Sequence, residues 1–314
     1  MAKDTIAVVG AGLVGAGWAI VFARAGHPVR IFDAEPSVRA KVLDGIRANA
    51  NDLKHFDLID DVEALMARIT VHDDLGAAVK GVAYVQESVF ESIPVKTPVY
   101  AALDTLVPDN VPIGSSSSGI PASQFTEHCK TRARMLISHP VNPPYLVPLV
   151  ELVPAPWTSP DVVDQVHALM TAVDQKPIRV NHEVEGFILN RLQGALLMEA
   201  WALAREGAAS VADIDKTVSE GLGLRWAFMG PFETIDLNAP KGVADYAARL
   251  GKLFHGIAAS RNNPEPWEAP LVSEVEKERR VDLAADKIDE RRAWRDRRLM
   301  ALAVHKAKAV KQFG

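Results

Sequence analysis

Between residues 5 and 180 the chain repeats one pattern: a short run of β-branched and apolar residues, then a longer stretch with apolar positions every three or four residues. Runs of the first kind read as strands of a parallel sheet, and the longer stretches as the helices that cross over between them. "TIAVVG" at 5–10 predicts the first strand, 13–25 a helix that stops at Gly26, and "VRIF" at 29–32 a second strand ending at Asp33. Pro36 stands where a helix can begin, and Val38, Val42 and Ile46 mark that helix's buried face. Further apolar runs at 68–71, 82–86, 111–114, 134–138, 149–153 and 178–180 predict the remaining strands, with a helix from about Pro160 between the last two.

Beyond residue 183 the short runs stop. "EGFILNRLQGALLMEAWALAREG" (185–207) is apolar almost all round and predicts a central, buried helix. Gly207 ends it, and Ser210 with Asp213 three residues on opens the next helix. The proline-rich stretch 262–270 predicts a loop. The tail from 272 carries charges of both signs, with Leu299, Leu302 and Ala303 as an apolar stripe. It reads as a helix docked on its own domain or on a second subunit, or as a solvated helix. The fold class expected is α/β: a Rossmann-type, doubly wound, mostly parallel sheet over 1–182, followed by an all-helical domain over 183–314.

Composition narrows the function more than the fold. With a net charge of −5 and no basic run, the chain carries no nucleic-acid footprint. Its single cysteine, Cys129, excludes a disulfide framework and multi-cysteine metal sites, and fits the reducing cytoplasm. No stretch is long and apolar enough to span a bilayer. The opening "MAKD" passes straight into a strand, unlike a secretory leader. The expectation is a cytoplasmic protein with neither a membrane nor a nucleic-acid partner, and without a metal.

"GAGLVG" (10–15) follows a predicted strand, opens a predicted helix, and has an acid 18 residues beyond its last glycine. That context makes it a dinucleotide-binding loop. Gly10 permits the tight turn, Gly12 lets backbone approach a pyrophosphate, and Gly15 lets helix and strand pack closely. Leu13 and Val14 lie between them, where the helix N-terminus offers anion-binding amides. Asp33 would accept hydrogen bonds from an adenosine ribose 2′-hydroxyl. With Glu35 nearby and no adjacent arginine, NAD is expected rather than NADP. A strand–turn–helix with no nucleotide is the plainer reading.

Oxidising an alcohol with NAD also needs a base on the hydroxyl. His139 sits just past the predicted strand 134–138, where ligands of open α/β sheets bind. Asn142, Pro143 and Pro144 cannot be helical and predict a turn that folds Glu151 back onto His139. A carboxylate on one ring nitrogen fixes the tautomer and supports the imidazolium. A lone structural histidine is the alternative, but an unpartnered acid in this apolar run would cost several kcal/mol, about 2–7 for even a neutral polar group.

The strings "HPVNPPYLVPLVELVP" (139–154), "GFILNRLQ" (186–193), "SEGLGLRWAFMGPFET" (219–234) and "AWRDRRLM" (293–300) make the chain resemble the 3-hydroxyacyl-CoA dehydrogenase superfamily, within it the lambda-crystallin and L-gulonate 3-dehydrogenase branch. The resemblance implies that His139 is the catalytic base, Glu151 its orienting acid, Ser118 in "GSSSSGI" a substrate contact, and Asn190 a residue near substrate and nicotinamide. It also implies contacts from Glu91 and Lys96 to the nicotinamide ribose, although both read equally as a solvated helix start. Ser116 stands where the family often has asparagine, so a cofactor role there is an expectation only. The family dimerises through its helical domain, so a homodimer is expected.

Where acyl-CoA enzymes carry a "GxPMGPFE" stretch, this chain has "GLGLRWAFMGPFE". An arginine reads a carboxylate bidentately, so Arg225 suits a free hydroxy acid, and Trp226 would shorten the pocket. Pairing of Arg225 with an acid of its own domain is the alternative. The function expected is NAD-dependent oxidation of the 3-hydroxyl of a small hydroxy carboxylic acid, L-gulonate by resemblance. A 3-hydroxyacyl-CoA or other short hydroxy-acid dehydrogenase, and a structural NAD(H)-binding protein, are the alternatives.

Overall fold

A computed structural model of the protein describes residues 3–261 and 266–313. Eight strands form one sheet: β1 (Ile6–Val9), β2 (Val29–Phe32), β3 (Ile69–His72), β4 (Tyr84–Glu87), β5 (Ile113–Ser115), β6 (Met135–Pro140), β7 (Leu149–Pro154) and β8 (Lys176–Arg179). They lie in the order β3-β2-β1-β4-β5-β6-β7-β8, all neighbours parallel except the antiparallel pair β6 and β7. Sequence order reverses at β1, between β2 and β4, and the glycine loop leaves the sheet at that switch point, where open α/β sheets hold their ligands. Successive residues of β1 feed two separate cores, Ile6 and Val8 one and Ala7 and Val9 the other. A strand covered on both faces therefore reads as a continuous apolar run.

The expected helices are present at Leu13–Arg24, Pro36–His55 and Pro160–Ala172. The first buries Trp18 and Phe22, stacked with ring centroids 5.3 Å apart. Residues Met1–Leu192 and Trp294–Gly314 make up one compact unit and Gln193–Ala293 the other. Part of the charged tail thus groups with the sheet. The residue that docks it is Met300, buried in the same core as Val42, Ile46 and Leu53, while Leu302 of the expected stripe is exposed. Arg297 of the tail lies 3.8 Å from Asp52.

Two expectations need correction. Strand β6 runs to Pro140, so His139 is inside a strand instead of past its end. The helix expected to be buried, Leu189–Arg205, has Ala202 as its one buried residue among the described residues. In the second unit Ser210 caps its helix as expected, accepting from the Asp213 N–H at 3.1 Å, and Trp201 stacks on Trp267 at 4.8 Å. The expected loop at 262–270 lies partly outside the described residues; from Ala269 the chain is helical. No helix among the described residues is long and apolar enough to cross a membrane.

Candidate active site

The glycine loop has the geometry its spacing demands. Gly10 lies in the left-handed region at φ +99°, and a Cβ there would fall 2.5 Å from the Ser88 carbonyl group. A Cβ on Gly15 would fall 1.8 Å from the Gly10 oxygen, whereas Gly12 faces open space with nothing within 4 Å. That opening lies at the N-cap of a helix with no acid in its first turn, so its free amides suit a pyrophosphate. Asp33 is held at the loop: one carboxylate oxygen accepts from the Ala11 N–H at 2.7 Å, the other from the Glu35 N–H at 2.9 Å. Each oxygen keeps a lone pair for a ribose diol. These residues fit NAD. No arginine is adjacent to Asp33 in sequence, but the helix from Pro36 brings Arg39 back onto the backbone oxygens of Asp33 and Ala34, at 2.5 and 3.1 Å. It contacts carbonyls there, and the carboxylate stays free to select a ribose hydroxyl.

Gly15→Ala would press a methyl into backbone that cannot move aside. Overpacking of this kind costs about 3 kcal/mol at the upper end, or roughly 6–12 °C in melting midpoint for a unit of this size. A thermal scan with an NADH fluorescence titration should show the lower midpoint and weakened cofactor binding together.

His139 and Glu151 are direct cross-strand partners in the β6–β7 pair. The His139 Nδ1 lies 2.8 Å from Glu151 Oε2. The other carboxylate oxygen accepts from the backbone N–H groups of Ile188 and Leu189, both at 2.9 Å. Those are orphan donors at the start of the helix Leu189–Arg205. Burial pushes the Glu151 carboxyl up, but the hydrogen bonds from His139, Leu189 and Ile188 outweigh it and hold the acid below the usual carboxylate range. An ionised Glu151 can only accept, so the imidazole carries its proton on Nδ1 toward Glu151 and keeps the lone pair on Nε2.

Two features missed by the sequence reading fix this pair. Phe187 is fully buried with φ +51°, directly after Gly186 at φ +74°, and its ring packs 5.7 Å from the imidazole. Gly17 lets the turn between β6 and β7 approach the first helix, since a Cβ there would fall 2.7 Å from Pro144. The dipeptide Gly186-Phe187 before an apolar helix was the only trace of the first in the sequence, and an extra glycine after the G-x-G-x-x-G loop the only trace of the second.

The serine run folds into a polar cluster linked to this helix. Asn190 donates its side-chain N–H to the Ser118 carbonyl at 2.6 Å, joining the residue after Leu189 to the loop after β5. Glu91 turns into the same loop. It accepts from Ser117 Oγ and from the Ser118 and Gly119 amides, all at 2.7 Å, and from the Ser118 hydroxyl. Burial opposes its charge, but these donors pull the Glu91 carboxyl down to about 2. Ser116 lies below: its oxygen accepts from Trp18 Nε1 at 3.1 Å and Gln86 Nε2 at 2.8 Å, and its proton is left for Ser88 Oγ at 2.8 Å. Gln86 also donates to the Ser138 carbonyl, next to His139, at 3.2 Å.

Lys96 is buried, so the solvated-helix reading does not hold for it. Its ammonium spans both oxygens of the fully buried Glu87, at 2.8 and 2.9 Å, and reaches Ser115 Oγ at 3.3 Å. Arg225 belongs to the second unit, on the short helix Gly223–Trp226, and is exposed; its guanidinium has no ion-pair partner among the described residues. The alternative, pairing with an acid of its own domain, is therefore absent among them.

The chain is 39% identical to rabbit (Oryctolagus cuniculus) lambda-crystallin, covering 96% of each chain. It is 35% identical to a 3-hydroxyacyl-CoA dehydrogenase of Gibberella moniliformis, covering 97% of this chain and 95% of that one. Among solved structures it resembles 5-formyl-3-hydroxy-2-methylpyridine 4-carboxylic acid 5-dehydrogenase, an NAD+-dependent dismutase, with a TM-score of 0.81, 26% identity, and coverage of 96% and 97% of the two chains. Residues 5–184 match the NAD-binding domain of 3-hydroxyacyl-CoA dehydrogenase and residues 186–281 its C-terminal domain. With a nucleotide loop that fits NAD and matches along both of its parts, the chain belongs to the 3-hydroxyacyl-CoA dehydrogenase family and is an NAD-dependent dehydrogenase.

Proposed function

We propose that the protein oxidises the 3-hydroxyl of a small, free hydroxy carboxylic acid, with L-gulonate the first candidate from the resemblance in sequence. The observation that carries this reading is the His139–Glu151 pair, locked in register at 2.8 Å with the acid's second oxygen on the helix amides. His139 Nε2 takes the hydroxyl proton, and Glu151 stabilises the imidazolium that forms. NAD, when bound, supplies the hydride acceptor. Ser118 and Asn190 hold the substrate's oxygens; Glu91 serves the cofactor side of the same loop, and Lys96 and Ser116 brace it from beneath. Arg225 anchors the carboxylate and Trp226 limits the length of what can bind. A free carboxylic acid as the substrate of the structural relative supports this choice, whereas the Gibberella relative supports an acyl-CoA ester.

A turnover panel of L-gulonate, 3-hydroxybutyrate and 3-hydroxybutyryl-CoA with NAD tests the reading. Free acids should be turned over, and Arg225→Met should raise KM for them about 10-fold or more with kcat little changed, the signature of lost uniform binding. Exclusive turnover of the CoA ester would replace this function with the acyl-CoA reaction.

We also assign a second copy of the chain to the helical unit, which leaves Phe228, Phe232, Leu237, Phe254 and Ile257 exposed. Sedimentation analysis should give twice the chain mass; a monomer at working concentration would rule this out.

A further inference from the structure

The hydrogen-bond inventory around Ser118 bears on which hydroxy acids the site can take. A serine hydroxyl has one proton and two lone pairs, and an ionised carboxylate only accepts. Glu91 has its two oxygens turned into the serine loop, one on Ser117 Oγ and the Ser118 and Gly119 amides, the other on Ser118 Oγ. The Gly119 and Ser118 amides belong to consecutive residues, so the carboxylate is fixed by backbone as well as by side chains. With Glu91 pulled down to about 2 it stays charged over the whole working range, and the Ser118 proton stays on it. What Ser118 can present to a ligand is a lone pair. Its carbonyl is likewise taken, by Asn190 at 2.6 Å.

The reacting hydroxyl has one proton as well, and in the proposed reaction that proton goes to His139 Nε2. It has none left for Ser118. A lone pair on Ser118 facing the reacting oxygen would meet only lone pairs, whereas a second hydroxyl on a neighbouring carbon supplies the donor that Ser118 needs. We infer that Glu91, by taking the only proton of Ser118, makes Ser118 a fixed acceptor that reads a second substrate hydroxyl beside the reacting carbon, so that the site selects vicinally hydroxylated acids. The inference rests on the proposed function and names its substrate class. Glu91 is here a positioning residue and acts through Ser118.

The experiment compares kcat/KM at saturating NAD for a polyhydroxy acid and its two analogues in which the C2 or the C4 hydroxyl is replaced by fluorine. Fluorine keeps the size of a hydroxyl and cannot donate. One of the two analogues should be disfavoured by at least about 100-fold in the wild type; a site built to hydrogen-bond a hydroxyl rejects a ligand lacking it by up to about 10⁴–10⁵-fold. In Glu91→Gln the amide oxygen stays on the backbone N–H groups and the NH2 donates to Ser118 Oγ, which frees the serine proton. The ratio should then fall at least 10-fold, and since it compares two substrates at saturating NAD, altered cofactor affinity cancels. Ser118→Ala should bring the ratio close to one and covers the case in which Glu91→Gln does not fold. Wild-type ratios near one for both analogues, or a ratio unmoved by either variant, would overturn the inference while leaving hydroxy-acid oxidation standing. Absence of turnover with every free hydroxy acid would overturn the proposed function itself, and the inference with it.

Discussion

Replacing His139 by glutamine should cut turnover by about 10²–10⁴-fold, the usual worth of a positioned general base, while NAD affinity and melting temperature stay close to wild type. Glutamine is near the imidazole in size, and its amide can still meet Glu151 Oε2, so the buried acid keeps a donor in place of Nδ1 at 2.8 Å. What it cannot do is take a proton at the position of Nε2. The loss should therefore appear in kcat and kcat/KM alike, the pattern of an interaction made only in the transition state. The cofactor loop lies on the other side of β4 and β5 from His139 in the sheet order, and a fluorescence titration with NADH should give the wild-type dissociation constant. Wild-type turnover in this variant would remove His139 as the base.

This pair was legible in the sequence because it satisfied two local rules at once. An acid in the run "LVPLVEL" demanded a partner, and consecutive prolines demanded a chain reversal between it and the nearest histidine. The Rossmann order was legible for a similar reason: strands covered on both faces announce themselves as apolar runs, and the glycine spacing fixes where the first one ends. Glu91 and Lys96 show the limit. Both stand in "ESVFESIPVK", five residues apart, and periodicity treats them alike. One ends buried on Glu87 and the other folded into a loop 27 residues later in the chain, because which carboxylate meets which donor is decided when β4 and β5 pair. Arg39 was missed because it stands in the first turn of the helix that opens at Pro36, and its long side chain reaches back past the helix start to the Asp33 carbonyl, a reach that adjacency in sequence does not reveal. The helix Leu189–Arg205 failed in another way: its composition reports an apolar surface but cannot say whose residues cover it.

A second large effect is expected at Glu151, and the hydrogen bonds dictate its form. In Glu151→Gln one end of the amide must face the N–H groups of Ile188 and Leu189 and the other must face His139 Nδ1. Turning the NH2 toward the helix would set donors against two donors, so the amide oxygen goes there and the NH2 points at Nδ1. The imidazole then has to accept at Nδ1 and carry its proton on Nε2, the wrong tautomer for a base. Turnover should fall on the order of 10³–10⁴-fold, as when the acid of a His–carboxylate pair is amidated in a serine-protease triad. Because the helix amides and Nδ1 all keep partners, the fold should be held, with NAD affinity unchanged. Glu151→Ala separates the two duties of the residue: it loses the same turnover but also strands the two helix N–H groups, at about 1–3 kcal/mol for an unsatisfied buried donor. A thermal scan should therefore place Glu151→Ala below Glu151→Gln, and steady-state kinetics should place them together. A glutamine variant with wild-type turnover would mean that the tautomer of His139 does not matter to the reaction, and the proton relay would have to be sought elsewhere in the site.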